Sequence, residues 1–338
     1  MISIERPDFD WLTAAAALAE RGRPLSRPNP AVGAIVVKDG RVVGRGWTQP
    51  SGRPHAEALA LAMAGEAARG ATLYVTLEPC AHASDRGPAC ADLAAAAGLA
   101  RVVAAVRDPD PRTSGAGFER IVAAGIATAL MPCPAAEASL AGYLSQRRRS
   151  RPHVTLKLAL SLDGAIALAS GESRWITGEA ARAHTHLERA RADAILVGGG
   201  TLRSDAPGLD VRLDGLEARS PERWVLTRGA APEGWTAIAS PTDISAMHDV
   251  QYLLVEGGAQ TAAAFLRADL IDRLLIYRAP IVVGGGKPGI ADIGLTNLAA
   301  AHGRWRQTDT RRLGNDRLEV YERQRPMADH ERARCSPA

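Results

Sequence analysis

Three side chains of the kind that bind metal ions are spaced so that the chain between them must fold back to one point. His55 and Glu57 begin a predicted helix, Cys80 follows a predicted strand, and Cys90 comes after a loop of nine residues. The three nitrogen and sulfur ligands, His55, Cys80 and Cys90, belong to separate elements and can converge only if the fold brings those elements together. The alternation of helices and strands around them is typical of a three-layer α/β domain.

The elements predicted along the chain follow this alternation in both halves. In the first half, residues 8–21 form an amphipathic helix, and Asp39-Gly40, a favoured tight-turn pair, joins the strands 31–38 and 41–48. The other predicted elements there are helices at 55–69, 90–98 and 117–124 and strands at 72–77, 101–106 and 126–130. The second half has predicted strands at 154–160, 193–197, 223–227, 252–256, 273–280 and 317–323 and helices at 178–192 and 260–268.

The length predicts two domains, because 338 residues exceed what one hydrophobic core usually serves. A polar helix over 135–149 and the basic stretch Arg147 to Arg151, interpreted as a solvated linker, separate the two halves. We therefore predict a first domain over residues 1–146, a second over 152–325 and a disordered tail over 326–338.

The basic charge balance does not by itself indicate a nucleic-acid partner. The net charge is +4 and the pI about 9.1, but only three of the 41 basic residues are lysines, and the arginines are scattered among 37 acids. No apolar stretch approaches the roughly 20 residues of a membrane helix, and the start lacks the apolar core of a signal peptide. We expect a cytoplasmic protein with neither nucleic-acid nor membrane partners.

The ligand set favours a catalytic zinc ion. Three protein ligands leave one tetrahedral position open, whereas structural zinc sites are closed by a fourth. Zinc in such an open site lowers the pKa of a bound water to about 7. Glu57 is then the predicted proton carrier from the water to a leaving amine, as in the H-x-E and P-C signature of zinc deaminases.

Two alternatives remain open for this motif. His55 and Glu57 could be a surface pair on a helix, with Cys80 and Cys90 as buried thiols. The site could also be structural, with His82 or Cys133 as a fourth ligand. A closed site would suit a non-enzymatic protein in which zinc stabilises a nucleic-acid-binding fold.

Five sequence motifs resemble those of a known enzyme family, and the resemblance covers residues 1 to about 325. They are PNPAVG at 28–33, PHAE at 54–57, TLEPCAH at 76–82, KLALSLDG at 157–164 and SGESRWIT at 170–177. With these motifs in this order, the chain resembles the bacterial bifunctional riboflavin-biosynthesis enzymes. In that family a pyrimidine deaminase is joined to a 5-amino-6-(5-phosphoribosylamino)uracil reductase.

The resemblance implies a fold and a function for each half. The fold is an N-terminal cytidine-deaminase-like three-layer α/β/α domain, followed by a C-terminal dihydrofolate-reductase-like α/β domain. The implied function is zinc-dependent deamination of 2,5-diamino-6-(5-phosphoribosylamino)pyrimidin-4(3H)-one, then NADPH-dependent reduction to 5-amino-6-(5-phosphoribitylamino)uracil. The cofactors are Zn²⁺ and NADPH, and the expected assembly is a homo-oligomer. The alternative is another nucleobase deaminase with a non-catalytic reductase-like domain.

The resemblance also implies contacts in the deaminase pocket. Asn29 would contact the substrate ring or ribose, His82 the substrate, and Arg86 the phosphate. The chain departs from the family in two places. Nine residues separate the cysteines where the family usually has eight, and Thr48 stands where the family commonly has a histidine.

Three glycine clusters mark the second half, at 198–200, 257–258 and 284–286. Glycines let backbone amides approach phosphate oxygens, and the second cluster has the strand, glycine, helix order of an anion-binding loop. Residues 284–289 match G-x-G-x-x-G, but Pro288 interrupts them and no crossover helix follows, so a Rossmann site is not favoured.

In the second half, the resemblance implies two sets of contacts, one to the cofactor and one to the substrate, each assigned residue by residue. The implied NADPH contacts are Ala159, Trp175, Thr201, Asp205, Gly258, Ala259, Gln260, Thr261, Ala262, Ala263 and Ala264. The implied contacts to the phosphoribosyl substrate are Ser173, Arg189, Leu209, Arg212 and Glu256. Lys157 lies on the strand that lines this site, and we assign it a polar role toward ribose or substrate. Alternatively, Lys157, Arg189 and Arg212 are solvated surface charges.

Overall fold

The computed structural model describes residues 6–82 and 86–325. The chain divides into two compact units, one formed by Met1–His153 with Ser245–Tyr252 and the other by Val154–Ile244 with Leu253–Ala338. The predicted tail over 326–338 lies outside the described residues. Within the described ranges, no helix is both long and apolar enough to cross a membrane.

A five-stranded mixed sheet forms the middle of the first unit. Its strands are Gly33–Lys38 (β1), Arg41–Trp47 (β2), Thr72–Leu77 (β3), Arg101–Val106 (β4) and Ala127–Leu130 (β5). The order is β2-β1-β3-β4-β5, with β1 antiparallel to both neighbours and β3, β4 and β5 parallel. Because β3 and β4 are parallel, the loops that follow them begin at the same edge of the sheet.

Helices cover both faces of this sheet. They are Arg6–Ala19 (α1), Ala56–Ala64 (α2), Cys90–Ala96 (α3), Ala116–Ala123 (α4), Pro134–Ser139 (α5) and Ala141–Arg149 (α6). One apolar cluster packs α2, α3, α4 and α6 against the face that carries Val36 and Val75. A second packs α1 and α5 against the opposite face, which carries Ile35 and Tyr74. The predicted three-layer α/β/α arrangement is confirmed.

The turn between β1 and β2 explains why the sequence marks this hairpin so clearly. Asp39 and Gly40 have φ values of 50° and 70°. A two-residue type I′ turn needs positive φ at both central positions, which aspartate tolerates and glycine adopts freely. The predicted hairpin is confirmed.

The second unit is built on an eight-stranded sheet and a small two-stranded one. The strands are His153–Leu160 (β6), Ala165–Ala167 (β7), Ala194–Gly198 (β8), Glu222–Leu226 (β9), Thr236–Ile238 (β10), Tyr252–Val255 (β11), Arg273–Arg278 (β12), Lys287–Pro288 (β13), Trp305–Leu313 (β14) and Asp316–Arg323 (β15). The large sheet has the order β10-β9-β8-β11-β6-β12-β15-β14, and β7 pairs with β13. Strands β8 to β11 pair in parallel, while β12, β15 and β14 pair antiparallel.

Three helices of this unit contribute residues to the wall of a cavity described below. They are Glu179–Ala190 (α7), Gly199–Asp205 (α8) and Ala259–Arg267 (α9). Both β8 and β11 run through glycines directly into a helix, α8 and α9 respectively. The first glycine cluster, at 198–200, therefore shares the strand, glycine, helix order that we expected only at 257–258.

Two predictions near the junction of the halves need correction. The single helix predicted over 135–149 is two helices, α5 and α6, because Leu140 leaves helical geometry (φ −97°, ψ 2°) and is buried in the core. The stretch Arg147 to Arg151 is not a solvated linker throughout. Its first three arginines complete the last turn of α6, and Arg151 is buried, donating to the carbonyl of Pro152.

Strand β14 has no counterpart in the sequence predictions. Its residues, WRQTDTRRL, show almost none of the apolar alternation that indicates a strand. It lies at the edge of the sheet and pairs with β15. Most of its side chains are exposed, so polar residues are tolerated on this strand.

Candidate active sites

The structure brings the three predicted metal ligands together in the first unit. His55 lies directly before α2, Cys80 three residues after β3, and Cys90 at the first residue of α3. Nδ1 of His55 lies 3.2 Å from Sγ of Cys90 and 3.7 Å from Sγ of Cys80. All three ligand atoms lie within 4.8 Å of one another, and both cysteines are buried.

This donor set fits zinc. Tetrahedral bonds of about 2.3 Å to sulfur and about 2.0 Å to nitrogen place those two atoms roughly 3.5 Å apart. The separations between Nδ1 of His55 and the two sulfurs lie on either side of that value. A hydrogen bond from Cys90 lowers the pKa of the Cys80 thiol to about 4, which favours the thiolate, the form that binds metal.

Glu57 is the second residue of α2 and is buried beside the ligands. Burial raises the pKa of its carboxyl group, and this group is within hydrogen-bonding reach of the Cys90 thiol. It is not a member of the metal-binding group itself. A buried carboxyl next to an open metal position can take up and release a proton during a reaction.

Glu78, the first residue of the loop that carries Cys80, has a structural role that the sequence did not reveal. Its carboxylate accepts hydrogen bonds from the backbone N–H groups of Gly115 (2.9 Å), Phe118 (3.3 Å) and Asp108 (3.3 Å). These bonds tie the loop after β3 to the start of α4 and to the loop after β4. The only sequence signal was an acidic residue between a strand and the Pro-Cys pair.

Two of the three predicted deaminase contacts lie close to the metal ligands or to their loop. Nδ2 of Asn29 donates to the carbonyl of Gly52 (3.0 Å) and lies 3.2 Å from Nε2 of His55. His82 is half-buried, two residues after Cys80, with Nδ1 at 3.5 Å from the Thr113 hydroxyl.

The third predicted contact, Arg86, is exposed on the loop between the cysteines and donates to the carbonyl of Ser51. Thr48, where the family commonly has a histidine, is buried, and its hydroxyl accepts the backbone N–H of Val32 (3.0 Å). The hydroxyl of Thr48 therefore holds β1 and the end of β2 together.

The geometry argues against both alternative interpretations of the motif. His55 contacts both thiols, so it is not an isolated surface residue of a helix. In the part of the chain that the structure describes, neither His82 nor Cys133 joins the metal-binding group. Cys133 instead lies 3.7 Å from the Thr13 hydroxyl, in the core on the other face of the sheet.

A cavity of about 1170 Å³ lies in the second unit, beside β6 and at the ends of β8 and β11. Most of the contacts predicted for this half line it: Lys157, Ala159, Ser173, Trp175, Arg189, Thr201, Asp205, Leu209, Arg212, Glu256, Gly258, Ala259, Gln260 and Thr261. Ligands of parallel α/β sheets bind at this edge, beyond the carboxyl ends of the strands.

The cavity wall does not include Ala262, Ala263 or Ala264. These residues continue α9 beyond Thr261, and Ala262 and Ala263 are almost completely buried in the core of the unit. The predicted cofactor segment 258–264 therefore reaches the cavity only over its first four residues.

Three charged side chains form a largely enclosed network in this cavity. Arg189 binds Glu256 through two hydrogen bonds of 2.7 Å and 2.9 Å, and Nζ of Lys157 lies 3.8 Å from the same carboxylate. Burial would raise the pKa of Glu256, but Lys157 and Arg189 hold it below its ordinary value. Burial lowers the pKa of Lys157. With two cations and one anion, the network favours an anionic ligand.

Other predicted contacts differ in their exposure. Arg189 is buried, which excludes the surface-charge interpretation for it, whereas the side chain of Arg212 is 63% exposed. Trp175 is 64% exposed, and the guanidinium of Arg182 stacks over its ring at 4.9 Å. An exposed aromatic ring on a cavity wall is available to pack against a bound ligand.

Each half of the chain matches the model of a known protein family. Residues 6–106 match the cytidine and deoxycytidylate deaminase zinc-binding region, and residues 152–238 and 243–318 match the RibD C-terminal domain. The His55, Cys80 and Cys90 group lies within the first match. The charged network of the cavity lies within the second.

Curated relatives cover nearly the whole chain. Riboflavin biosynthesis protein RibD of Escherichia coli K12 is 39% identical over 345 residues, which covers 87% of this chain and 94% of the relative. The protein of the same name from Mycobacterium tuberculosis H37Rv is 41% identical over 308 residues, which covers 86% of this chain and 90% of the relative.

Solved structures of two similar proteins each match 94% of this chain. Acinetobacter baumannii RibD, form 1, is 34% identical, has a TM-score of 0.82 and covers 94% of this chain and 99% of its own. The deaminase/reductase of Thermotoga maritima is 29% identical, also with a TM-score of 0.82, and covers 94% of this chain and 98% of its own. The predicted cytidine-deaminase-like and dihydrofolate-reductase-like folds are confirmed. The chain belongs to the RibD family of bifunctional deaminases and reductases of riboflavin biosynthesis.

Proposed function

We propose that residues 1–146 deaminate 2,5-diamino-6-(5-phosphoribosylamino)pyrimidin-4(3H)-one and that residues 152–325 then reduce the ribosyl group with NADPH. The product is 5-amino-6-(5-phosphoribitylamino)uracil. The observation that carries this proposal is the convergence of His55, Cys80 and Cys90 beside the buried Glu57. A separate cavity with a charged network, in the second unit, supports the second reaction.

In the deaminase site, His55, Cys80 and Cys90 would hold the zinc ion, which when bound would supply an activated water for attack on the amine-bearing carbon. The carboxyl group of Glu57 takes up the proton and returns it to the leaving amino group, so that ammonia departs. Asn29 and His82 orient the substrate, since both lie near the ligands or their loop. Arg86 contacts the substrate phosphate.

In the reductase site, the cavity would hold NADPH, which when bound would supply a hydride to C1′ of the sugar, and the protein positions the two partners. Lys157, Arg189 and Glu256 hold the sugar, because they form the buried polar network of the cavity. Ser173, Leu209 and Arg212 complete the substrate site. The exposed guanidinium of Arg212, whose Nε lies 3.6 Å from a carboxylate oxygen of Asp210, binds the phosphate. The cofactor contacts on the cavity wall are Ala159, Trp175, Thr201, Asp205, Gly258, Ala259, Gln260 and Thr261.

Replacing Glu57→Gln tests this assignment. The glutamine keeps the size of the side chain but cannot carry the proton, so ammonia release should fall by about 10²- to 10⁴-fold. NADPH oxidation with the deaminated intermediate should stay at the wild-type rate. Glu66→Gln, at an exposed position just beyond α2, is the matched control.

Two outcomes would contradict the proposal. Undiminished ammonia release by Glu57→Gln would remove Glu57 from the mechanism. Failure of the wild-type protein to oxidise NADPH with the deaminated intermediate would favour the alternative, a deaminase with a non-catalytic second domain.

A further inference from the structure

A short segment from the second half of the sequence folds into the first unit. Residues Ser245–Tyr252 lie within the match to the RibD C-terminal domain, yet they group with Met1–His153 in the first compact unit. Four of these eight residues are buried, namely Met247, Val250, Gln251 and Tyr252. The unit that holds the metal-binding group therefore includes chain from the second family match.

Hydrogen bonds from other parts of the first unit fix the backbone of this segment. Gln146 on α6 donates through its amide to the carbonyl of Met247 at 2.7 Å and to that of Val250. The Tyr252 hydroxyl donates at 2.9 Å to the backbone carbonyl of the last residue of α5. Gln251 lies between these two anchored residues, so its side chain projects from a fixed point.

The side chain of Gln251 contacts the loop that carries Asn29. Its Nε2 donates to the carbonyl of Pro28 at 2.9 Å and to the carbonyl of Asn29 at 3.1 Å. A side-chain amide nitrogen carries two protons, so this one group can supply both bonds. Gln251 is only 6% exposed, which limits competition from water for the same two carbonyls.

This loop depends on side chains to hold its shape. Pro28 and Pro30 have no N–H groups and cannot donate to a neighbouring strand. The N–H of Asn29 donates to the carbonyl of Ser26 (3.1 Å), and the Ser26 hydroxyl donates to the carbonyl of Asn29 (3.2 Å). Gln251 ties this turn to the rest of the unit.

The position of Asn29 matters at the metal ligands. Its Nδ2 donates to the carbonyl of Gly52 at 3.0 Å and lies 3.2 Å from Nε2 of His55. A Cβ atom on Gly52 would lie 2.6 Å from the Asn29 side chain, so these two residues fit closely. A shift of the loop by about 1 Å would take the Asn29 amide out of hydrogen-bonding range.

We propose that Gln251 is a positioning residue for the deaminase reaction. It holds the carbonyls of Pro28 and Asn29, so that the Asn29 side chain stays beside His55 where the substrate binds. The proposal rests on the deaminase function proposed above. It gives a residue from the second family match a role in the first reaction.

Gln251→Met tests the proposal in the full-length, zinc-loaded enzyme. Methionine keeps the length of the side chain but donates no hydrogen bond. The KM for the diamino substrate should rise about tenfold, because two hydrogen bonds that fix Asn29 are lost. The kcat for ammonia release should stay near wild type, since Asn29 contributes binding rather than proton transfer. Zinc content and NADPH oxidation with the deaminated intermediate should also be unchanged.

Gln146→Met is the matched control. Gln146 also donates to two backbone carbonyls in this unit, but those carbonyls belong to the segment itself and not to the Asn29 loop. We expect both variants to lower thermal stability to a similar degree and only Gln251→Met to raise KM. An equal rise in KM in the two variants would overturn the proposal, because the segment would then act only through the stability of the unit.

A double variant shows whether Gln251 acts through Asn29. In the Asn29→Ala background, Gln251→Met should raise KM no further, because the side chain that it positions is already absent. Losses that multiply in the double variant would contradict this route.

Hydrogen exchange separates the proposal from the deaminase function itself. The N–H of Asn29 should exchange about tenfold faster in Gln251→Met than in the wild type or in Gln146→Met. Unchanged exchange in the folded Gln251→Met variant would overturn the proposal. If the wild type releases no ammonia from the diamino substrate but shows this Gln251-dependent exchange, the deaminase function fails and the hold of Gln251 on the loop stands.

Discussion

Glu57, Glu78 and Glu256 are all largely enclosed, yet each meets different neighbours. Burial raises the pKa of Glu57 and of Glu78, although three backbone N–H groups bind the Glu78 carboxylate. Glu256 has its pKa lowered, because Lys157 and Arg189 outweigh the effect of burial. Glu57 is therefore suited to carry a proton, Glu78 to fix a loop, and Glu256 to balance two buried cations.

The sequence alone could predict only one of these three roles. The two-residue spacing from His55 indicated a proton carrier at Glu57, because spacing within one helix is visible in the sequence. Glu256 was assigned through the family resemblance. The role of Glu78 depends on Gly115 and Phe118, which are remote in sequence and approach it only through the packing of α4.

Glu256→Gln should destabilise the second unit. Two largely enclosed cations would lose their countercharge, and removing one partner of a fully buried ion pair costs up to about 3–5 kcal/mol. We expect a lower urea midpoint for this unit and loss of NADPH oxidation, with ammonia release preserved. Glu217→Gln, at an exposed position of the same unit, is the control. A change in unfolding free energy below about 1 kcal/mol would contradict the inferred role of the network.

At the level of elements, the metal site depends on how closely α4 approaches the loop after β3. A Cβ atom on Gly117 would collide with the carbonyl oxygen of Pro79, so glycine is required at this contact. The strands β3 and β4 were predicted with the bounds that the structure shows, because their apolar runs are short and sharply limited. The close contact of α4 with the Pro79 loop has no such signal, since it involves two elements that are distant in sequence.

Gly117→Ala should therefore displace the loop that carries Cys80. Overpacking at a tight contact costs about 1–3 kcal/mol, and we expect lower thermal stability and less zinc per protein by elemental analysis. Val122→Ala, at an exposed position of the same helix, should leave both quantities near wild type. Full zinc content together with unchanged stability in Gly117→Ala would show that this contact does not support the metal site.

At the scale of the whole molecule, the two compact units carry different chemistry. The first holds the metal-binding group and the second the charged cavity. The zinc site could be predicted from residue types and spacing alone, since few other sites combine these ligands. The cofactor site could not, because three glycine clusters are more often turns, and only the resemblance indicated NADPH. The homo-oligomer stays a prediction.

One measurement tests the central claim, that zinc serves the first reaction and NADPH the second. Ammonia release and NADPH consumption are followed on the diamino substrate and on the deaminated intermediate, before and after zinc is removed with a chelator. We predict that chelation abolishes ammonia release, spares NADPH consumption on the intermediate, and is reversed by added zinc. Ammonia release that persists in metal-free protein, or a reductase step lost together with zinc, would contradict the account.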